Sequence, residues 1–317
     1  MLKFRMLLED TEGPMLVEPA FGCPALVESI KPSIAVVKER LTEHGALLLR
    51  GFRAPDVAEF DTFATTLSNH QYPYLHRSTP REQVTSNVMT ATSYPRQLEI
   101  PLHSENAYLR QWPLTIAFCC TKPADRGGET PIASLRAVTA RIGVALMDKF
   151  ESLQVEYIRH YHENVDLPWQ TVFQTDRPEQ VEQYCRDNDV HCAWLQPNLL
   201  RTSHIAQGVA YHPYKRNRVF FNQAHLFHVS SLGERRAEAL EKMFGMDRLP
   251  RHARFGDGSE IQLAELEQVR RAFLDSRISF PWRAGDVLVL DNMQYCHGRS
   301  SFEGARCVFA ALMDPYP

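Results

Sequence analysis

Gly285-Asp286-Val287-Leu288-Val289-Leu290 reads as a turn opening onto a short, continuously apolar run of buried-strand length, closed by Asp291-Asn292. Cys307-Val308-Phe309-Ala310-Ala311-Leu312 is a second such run near the end of the chain. Upstream, Ala46-Leu47-Leu48-Leu49 sits between Gly45 and Arg50-Gly51, and Leu114 to Cys120 is apolar and β-prone up to the turn Lys122-Pro123. Val88, Thr90, Thr92 and Tyr94 share one alternation, which predicts a strand from Val84 to Tyr94. Helical spacing fills the gaps: Ile34, Val37 and Leu41 before the first run, then Val57, Phe60, Ala64 and Leu67 after it. The middle carries the same spacing over Val138 to Phe150, Glu234 to Phe244 and Gln262 to Leu274. Leu263, Leu266, Val269 and Phe273 form the clearest stripe, and Arg218 to Asn222 looks like an aromatic-rich strand. Strands at both ends with helices between them predict a mainly β fold with flanking helices. Its core would be a sandwich or barrel carrying a partly helical insertion at about 135–275. No repeat, low-complexity tract or linker divides the chain, so one domain over 1–317 is expected.

Composition narrows the function classes. The 317 residues are 44% hydrophobic and 23% charged, ordinary for a globular protein with a substantial core. A formal net charge of -3 and no dense Lys/Arg run argue against a nucleic-acid partner. Met1–Leu8 is mildly apolar but ends at Glu9-Asp10, too short for a signal peptide or membrane span. The 7 cysteines are scattered with no Cys-x-x-Cys pair, which fits reduced thiols in a cytoplasmic protein.

The chemistry is carried by His103-Ser104-Glu105, answered far downstream by His297 and then Arg306. Two imidazoles and a carboxylate are the ligand set that holds non-haem Fe(II) while leaving positions open for co-substrate and oxygen. His103 and Glu105 lie two residues apart, so on an extended segment both side chains face the same way. Arg306 follows His297 at a distance suited to gripping the far carboxylate of a dicarboxylic co-substrate. With 13 histidines in the chain, a single His-x-Glu is weak by itself. Its surroundings give it weight.

Those surroundings are His44-Gly45-Ala46-Leu47-Leu48-Leu49-Arg50-Gly51-Phe52, Ile100-Pro101-Leu102-His103-Ser104-Glu105-Asn106, Lys122-Pro123-Ala124 and Gly127-Gly128-Glu129-Thr130-Pro131. His212-Pro213, Phe221-Asn222-Gln223, Gly285 to Asn292, His297-Gly298-Arg299 and Phe302-x-Gly304-x-Arg306 follow. In this order they resemble the taurine dioxygenase-like (TauD/TfdA) family of Fe(II)/2-oxoglutarate-dependent oxygenases, closest to its syringomycin-biosynthesis-type (SyrP-like) branch. The resemblance implies a double-stranded β-helix core (jelly roll, cupin-like). It implies Fe(II) on His103, Glu105 and His297, 2-oxoglutarate held by Arg306 with help from Thr130, and molecular oxygen as the oxidant. Glu105 stands where aspartate is commoner. The retained carboxylate points to an oxygenase, because halogenating relatives vacate that ligand position with a small side chain.

An amino-acid-like small-molecule substrate, free or tethered to a carrier protein, is the further implication, in specialised metabolism. Asn106, Arg110, Asn87, Thr92 and Arg299 are the residues placed to meet it. Tyr108 could also line the cavity, and Ser86 and Thr90 could face it from the preceding strand; His212, Asn222 and His225 read as support for the site. Tyr211, Tyr214, Phe220 and Phe221 read as core aromatics, and Cys296 as a packed thiol. Two rivals remain at this stage. His/His/Glu also serves catalytic zinc in hydrolases, and a non-catalytic binding protein can share the fold.

Overall fold

The computed structural model describes residues 1–9, 12–72, 83–91, 94–162 and 165–316. The Val287–Asp291 strand is apolar throughout because it is central. It pairs antiparallel with Ala46–Leu49 on one side (Leu288 opposite Leu48) and with Trp112–Lys122 on the other (Leu288 opposite Phe118). The sheet grows outward from these three. Leu2–Met6 and Met15–Pro19 extend the Ala46–Leu49 side, and Cys307–Tyr316 and Val88–Thr90 extend the other.

Alternation then sorts the side chains by face. Val287 and Val289, with Leu47, Leu49, Ala117 and Cys119, pack beneath the helices Ile34–His44 and Val57–Leu67 through Val37, Leu41, Phe60 and Phe63. Leu288 and Leu290, with Leu48, Ile116 and Phe118, face the opposite way and meet Ile132 and Tyr295 of a second sheet. Each fully buried leucine on either face contributes about 1.5–3 kcal/mol. A polar substitution on either face therefore strikes a core.

The second sheet has four antiparallel strands in the order Arg277–Ile278, Ile132–Ser134, Tyr295–Arg299, Ile100–His103. The first two pair with each other (Arg277 opposite Ala133), which closes the base of the long insertion between them. That insertion is less helical than its sequence predicts. It contains a four-stranded antiparallel sheet of His191–Gln196, Leu199–Ala206, Val155–His160 and Arg251–Phe255. The strands escape pattern reading because Arg159, His160, Thr202, Ser203 and His252 are buried polar residues at their inner positions. Val138 to Phe150 is also two helices, Leu135–Ile142 and Val144–Leu153, divided at Gly143. Leu263 is exposed, and the Leu263–Asp275 helix buries Leu266, Val269, Ala272 and Phe273. Tyr211 and Tyr214 are exposed rather than core, whereas Phe220 and Phe221 are buried.

The turn before the central strand is fastened by a buried ion pair. Arg50 Nε donates to Asp286 Oδ1 at 2.9 Å and Nη2 to Oδ2 at 2.6 Å, while Nη2 also reaches the Pro281 carbonyl. Arg283 N–H adds a third bond to the same carboxylate. Removing Asp286 leaves a buried guanidinium without its counter-charge. Asp286→Ala is expected to cost about 3–5 kcal/mol, read as a lowered urea midpoint.

Candidate active site

His297 and His103 are direct cross-strand partners in the second sheet, and their rings lie 4.6 Å apart, centroid to centroid. Glu105 completes the cluster: its Oε2 is 3.6 Å from His297 Nε2, and the ligand atoms of all three residues lie within 4.8 Å of one another. Glu105 and His297 are buried, and the Phe118 ring packs against His297 at 4.9 Å, so the cluster sits between the two sheets. His103 Nδ1 bonds the Pro101 carbonyl at 2.8 Å, which places the proton on Nδ1 and makes Nε2 the unprotonated nitrogen, the one suited to a metal. The residues present fit a divalent cation with two imidazoles and one carboxylate.

Glu105 does not lie on the His103 strand. The strand ends at His103, and Glu105 enters a turn in which Asn106 takes φ +56°. Side chains rather than strand geometry hold that turn. Asn292 Oδ1 accepts from Glu105 N–H at 2.8 Å, and its Nδ2 donates to the Glu105 and Pro113 carbonyls at 2.9 Å each. Gln223 Nε2 donates to the Ser104 carbonyl and His225 Nε2 to that of Leu102. His212 bonds Asp291, next to Asn292, at 2.8 Å, while Asn222 donates to the Gly208 carbonyl and accepts from Ala224 N–H, away from the cluster itself. Asn292 and Gln223 lay within the quoted sequence blocks, but nothing in their spacing announced a clamp. Cys296 is a packed thiol, pushed up to about 12 by burial.

Beside the cluster is a cavity lined by His103, His297, Phe118, Thr130, Arg299 and Arg306. Arg306 is the key to its chemistry. Its Nε donates to the Gly128 carbonyl at 2.8 Å and its Nη2 lies 3.4 Å from Thr130 Oγ1. Among the described residues no carboxylate forms an ion pair with it. Burial holds the guanidinium down at about 10, still protonated at neutral pH. Trp282 Nε1 donates to Thr130 Oγ1 at 3.2 Å and orients the hydroxyl. The Arg306 stem passes over Gly128, where a Cβ would come within 3.0 Å of Arg306 Cδ.

A family model described as taurine catabolism dioxygenase TauD, TfdA family, matches residues 12–312. The chain belongs to the TauD/TfdA family. This makes it a dioxygenase that works with Fe(II), 2-oxoglutarate and molecular oxygen. Among curated proteins it is 40% identical over 282 residues to the dapdiamide synthesis protein DdaC of Enterobacter agglomerans, covering 89% of this chain and 86% of DdaC. It is 27% identical over 305 residues to a clavaminate synthase-like protein of Arabidopsis thaliana, covering 93% of this chain and 89% of that one. Among solved structures it shares the fold of PvcB from Pseudomonas aeruginosa, with a TM-score of 0.55 at 17% identity over 98% of this chain and 91% of that one.

The remaining residues expected near substrate fall in different places on this TauD/TfdA scaffold. Asn106 is buried next to Glu105, donates to the Tyr72 hydroxyl at 3.2 Å, and leaves its own Oδ1 without a partner. Arg110 is at the surface, paired with Asp189 and the Ile205 carbonyl, and so does not join the cluster. Asn87 lies in the turn before the Val88–Thr90 strand, its N–H bonded by the Thr85 hydroxyl. Thr92 lies outside the described residues. Arg299 lines the cavity, but its guanidinium donates to the carbonyls of Tyr94, Pro95 and Leu98. It pins that loop rather than presenting a free fork.

A second His/His/Glu set, His228, His252 and Glu260, occurs in the insertion. One nitrogen of each of its imidazoles is engaged within the insertion. His228 Nδ1 accepts from Ser230 N–H and His252 Nε2 bonds Glu260 at 3.0 Å. The first set, beside Arg306, is the one equipped for the family's chemistry.

Two expectations follow from these contacts. Gly128→Ala forces a Cβ onto the Arg306 stem at a φ of +75°, and should raise KM for 2-oxoglutarate about tenfold in a succinate-release assay. Burial lowers the pKa of His225 to about 3 and of His228 to about 4. Both bind protons more weakly folded than unfolded, so their stability contribution is complete above the unfolded value of about 6.5 and is lost as pH falls towards 4 and then 3. Urea midpoints should therefore drop across that window. His228→Asn, which keeps an acceptor for Ser230 N–H, should make the slope shallower.

Proposed function

We propose that His103, Glu105 and His297 hold one Fe(II), and that Arg306 and Thr130 hold the distal carboxylate of 2-oxoglutarate beside it. The single observation that carries this reading is the partly buried, charged Arg306, with no carboxylate partner among the described residues, sharing a cavity with His103 and His297. A largely desolvated guanidinium facing only a carbonyl and a hydroxyl is electrostatically incomplete, and a ligand carboxylate completes it with charge-assisted bonds. The two sheets around the site are read as the walls of a jelly roll, in one domain over 1–317.

The bound Fe(II), with 2-oxoglutarate and oxygen, supplies an oxidation in which the keto acid leaves as succinate and carbon dioxide and a substrate C–H becomes C–OH. The chain's own part is placement. Pro101 fixes the tautomer of His103, Asn292 fixes the backbone of Glu105, and Phe118 keeps the His297 ring dry and oriented. Trp282 aims the Thr130 hydroxyl, and Gly128 lets Arg306 approach. The substrate is read as amino-acid-like, free or carried on a protein, in the making of a specialised metabolite. The names of DdaC, a dapdiamide synthesis protein, and of PvcB, from an isonitrile synthetic pathway, support this class. Seven free thiols fit a reducing, cytoplasmic setting.

Anaerobic addition of Fe(II) and 2-oxoglutarate should produce the weak visible charge-transfer band of the iron chelate. Arg306→Ala should abolish it at 2-oxoglutarate concentrations that saturate the wild type, and His297→Ala should abolish it at any concentration. Zn(II) in place of Fe(II) gives no band. A wild-type protein without the band, or a band indifferent to both substitutions, contradicts the assignment.

A further inference from the structure

A second cavity lies in the insertion, walled by Tyr108, Tyr157, Arg159, Tyr184, Thr202 and His204. It shares no lining residue with the cavity of Arg306. Arg159 is only 4% exposed, and its Nε and Nη1 are buried with no hydrogen-bond partner. Among the described residues its one ion pair is weak in geometry: Nη2 reaches Asp166 Oδ2 at 3.3 Å. Arg251 takes the better share of that carboxylate, through Nη2 to Oδ1 at 2.7 Å and a shorter contact from Nε to Oδ2. The Tyr161 ring covers the guanidinium face at 4.7 Å, so only its edges remain to be satisfied. Among the described residues that line it, none is a carboxylate that would oppose an incoming anion. Burial pushes the Tyr157 and Tyr184 phenols up and the His204 imidazole down, which keeps all three neutral at pH 7.

This cavity adjoins the metal turn. Tyr108 follows Glu105 on that turn, and its carbonyl bonds His204 Nε2 at 2.7 Å. Tyr157 Oη accepts from the N–H of Gln223, whose side chain holds Ser104. The Tyr72 phenol, which adds to the upward push on Tyr184, accepts from Asn106 beside Glu105.

We propose that this cavity anchors the substrate through a free carboxylate held by Arg159, so that substrate and 2-oxoglutarate are each gripped by an arginine of their own. The inference rests on the dioxygenase reading above and names its substrate class: an amino-acid-like acid with an unesterified carboxylate. Unmet N–H donors on a buried cation leave a desolvation cost that a carboxylate recovers.

The test uses succinate release and calorimetric binding to the anaerobic Fe(II)/2-oxoglutarate enzyme, with a panel of free L-amino acids and short peptides against their C-terminal amides. At least one acid should bind and trigger succinate, and its amide should not. Arg159→Gln should raise KM for that acid about ten- to hundredfold and leave the chelate band intact. Asp166 keeps its Arg251 bonds in that variant, which protects the fold. Val190→Trp, which fills the cavity from its partly exposed wall without touching a charge, should raise KM in the same way. The inference is overturned if the band persists while no acid acts, if amides act as well as acids, or if both variants behave as wild type. Absence of the band in the wild type overturns the dioxygenase reading, and this inference with it.

Discussion

The register that sets His297 opposite His103 is the constraint on which the site depends. Side chains alternate across a strand, so a slip of one residue would turn His297 to the other face and dissolve the metal cluster. Pairing on the opposite edge resists that slip, because Tyr295, Cys296 and His297 are matched to Ser134, Ala133 and Ile132. Beyond His297 the register shifts at Gly298, where a Cβ would fall 2.6 Å from the Ile100 carbonyl. Only a glycine lets the two strands close on each other there, immediately beside the ligands.

Buried cations divide the molecule into finished structure and waiting sites. Arg50 is engaged by Asp286 and Pro281, and Arg299 donates to three loop carbonyls. These two hold the frame. Arg306, partly buried, and Arg159, buried, each sit beside a cavity with less acceptor strength than the charge demands. Interiors rarely tolerate that imbalance unless something else completes it. The His103, Glu105 and His297 cluster lies against the Arg306 cavity, and its supporting turn runs on to the Arg159 cavity.

Much of this was legible in the sequence. The central strand announced itself because burial on both faces removes every polar residue from Val287–Leu290, and the same holds for Ala46–Leu49. His103, Glu105, His297, Arg306 and Thr130 were named from residue type, spacing and family resemblance, and the structure brings them together. The insertion's sheet was not legible, since Arg159, His160, Thr202 and Ser203 interrupt the alternation that marks a strand. Arg299 lines the cavity, but its hold on a distant loop was not legible, for a related reason. A charged residue next to a ligand looks functional, while its three carbonyl acceptors are contributed by a loop 201 to 205 positions away. Glu105 joins His103 and His297 by a side-chain-clamped turn rather than an extended strand, a device with no signature in local spacing.

The most direct measurement is anomalous diffraction at the iron edge from crystals grown anaerobically with Fe(II) and 2-oxoglutarate. A single strong peak bounded by the side chains at 103, 105 and 297, with keto-acid density running to the guanidinium at 306, is the predicted result. Iron located instead at His228, His252 and Glu260, or keto-acid density that leaves Arg306 untouched, would contradict the account.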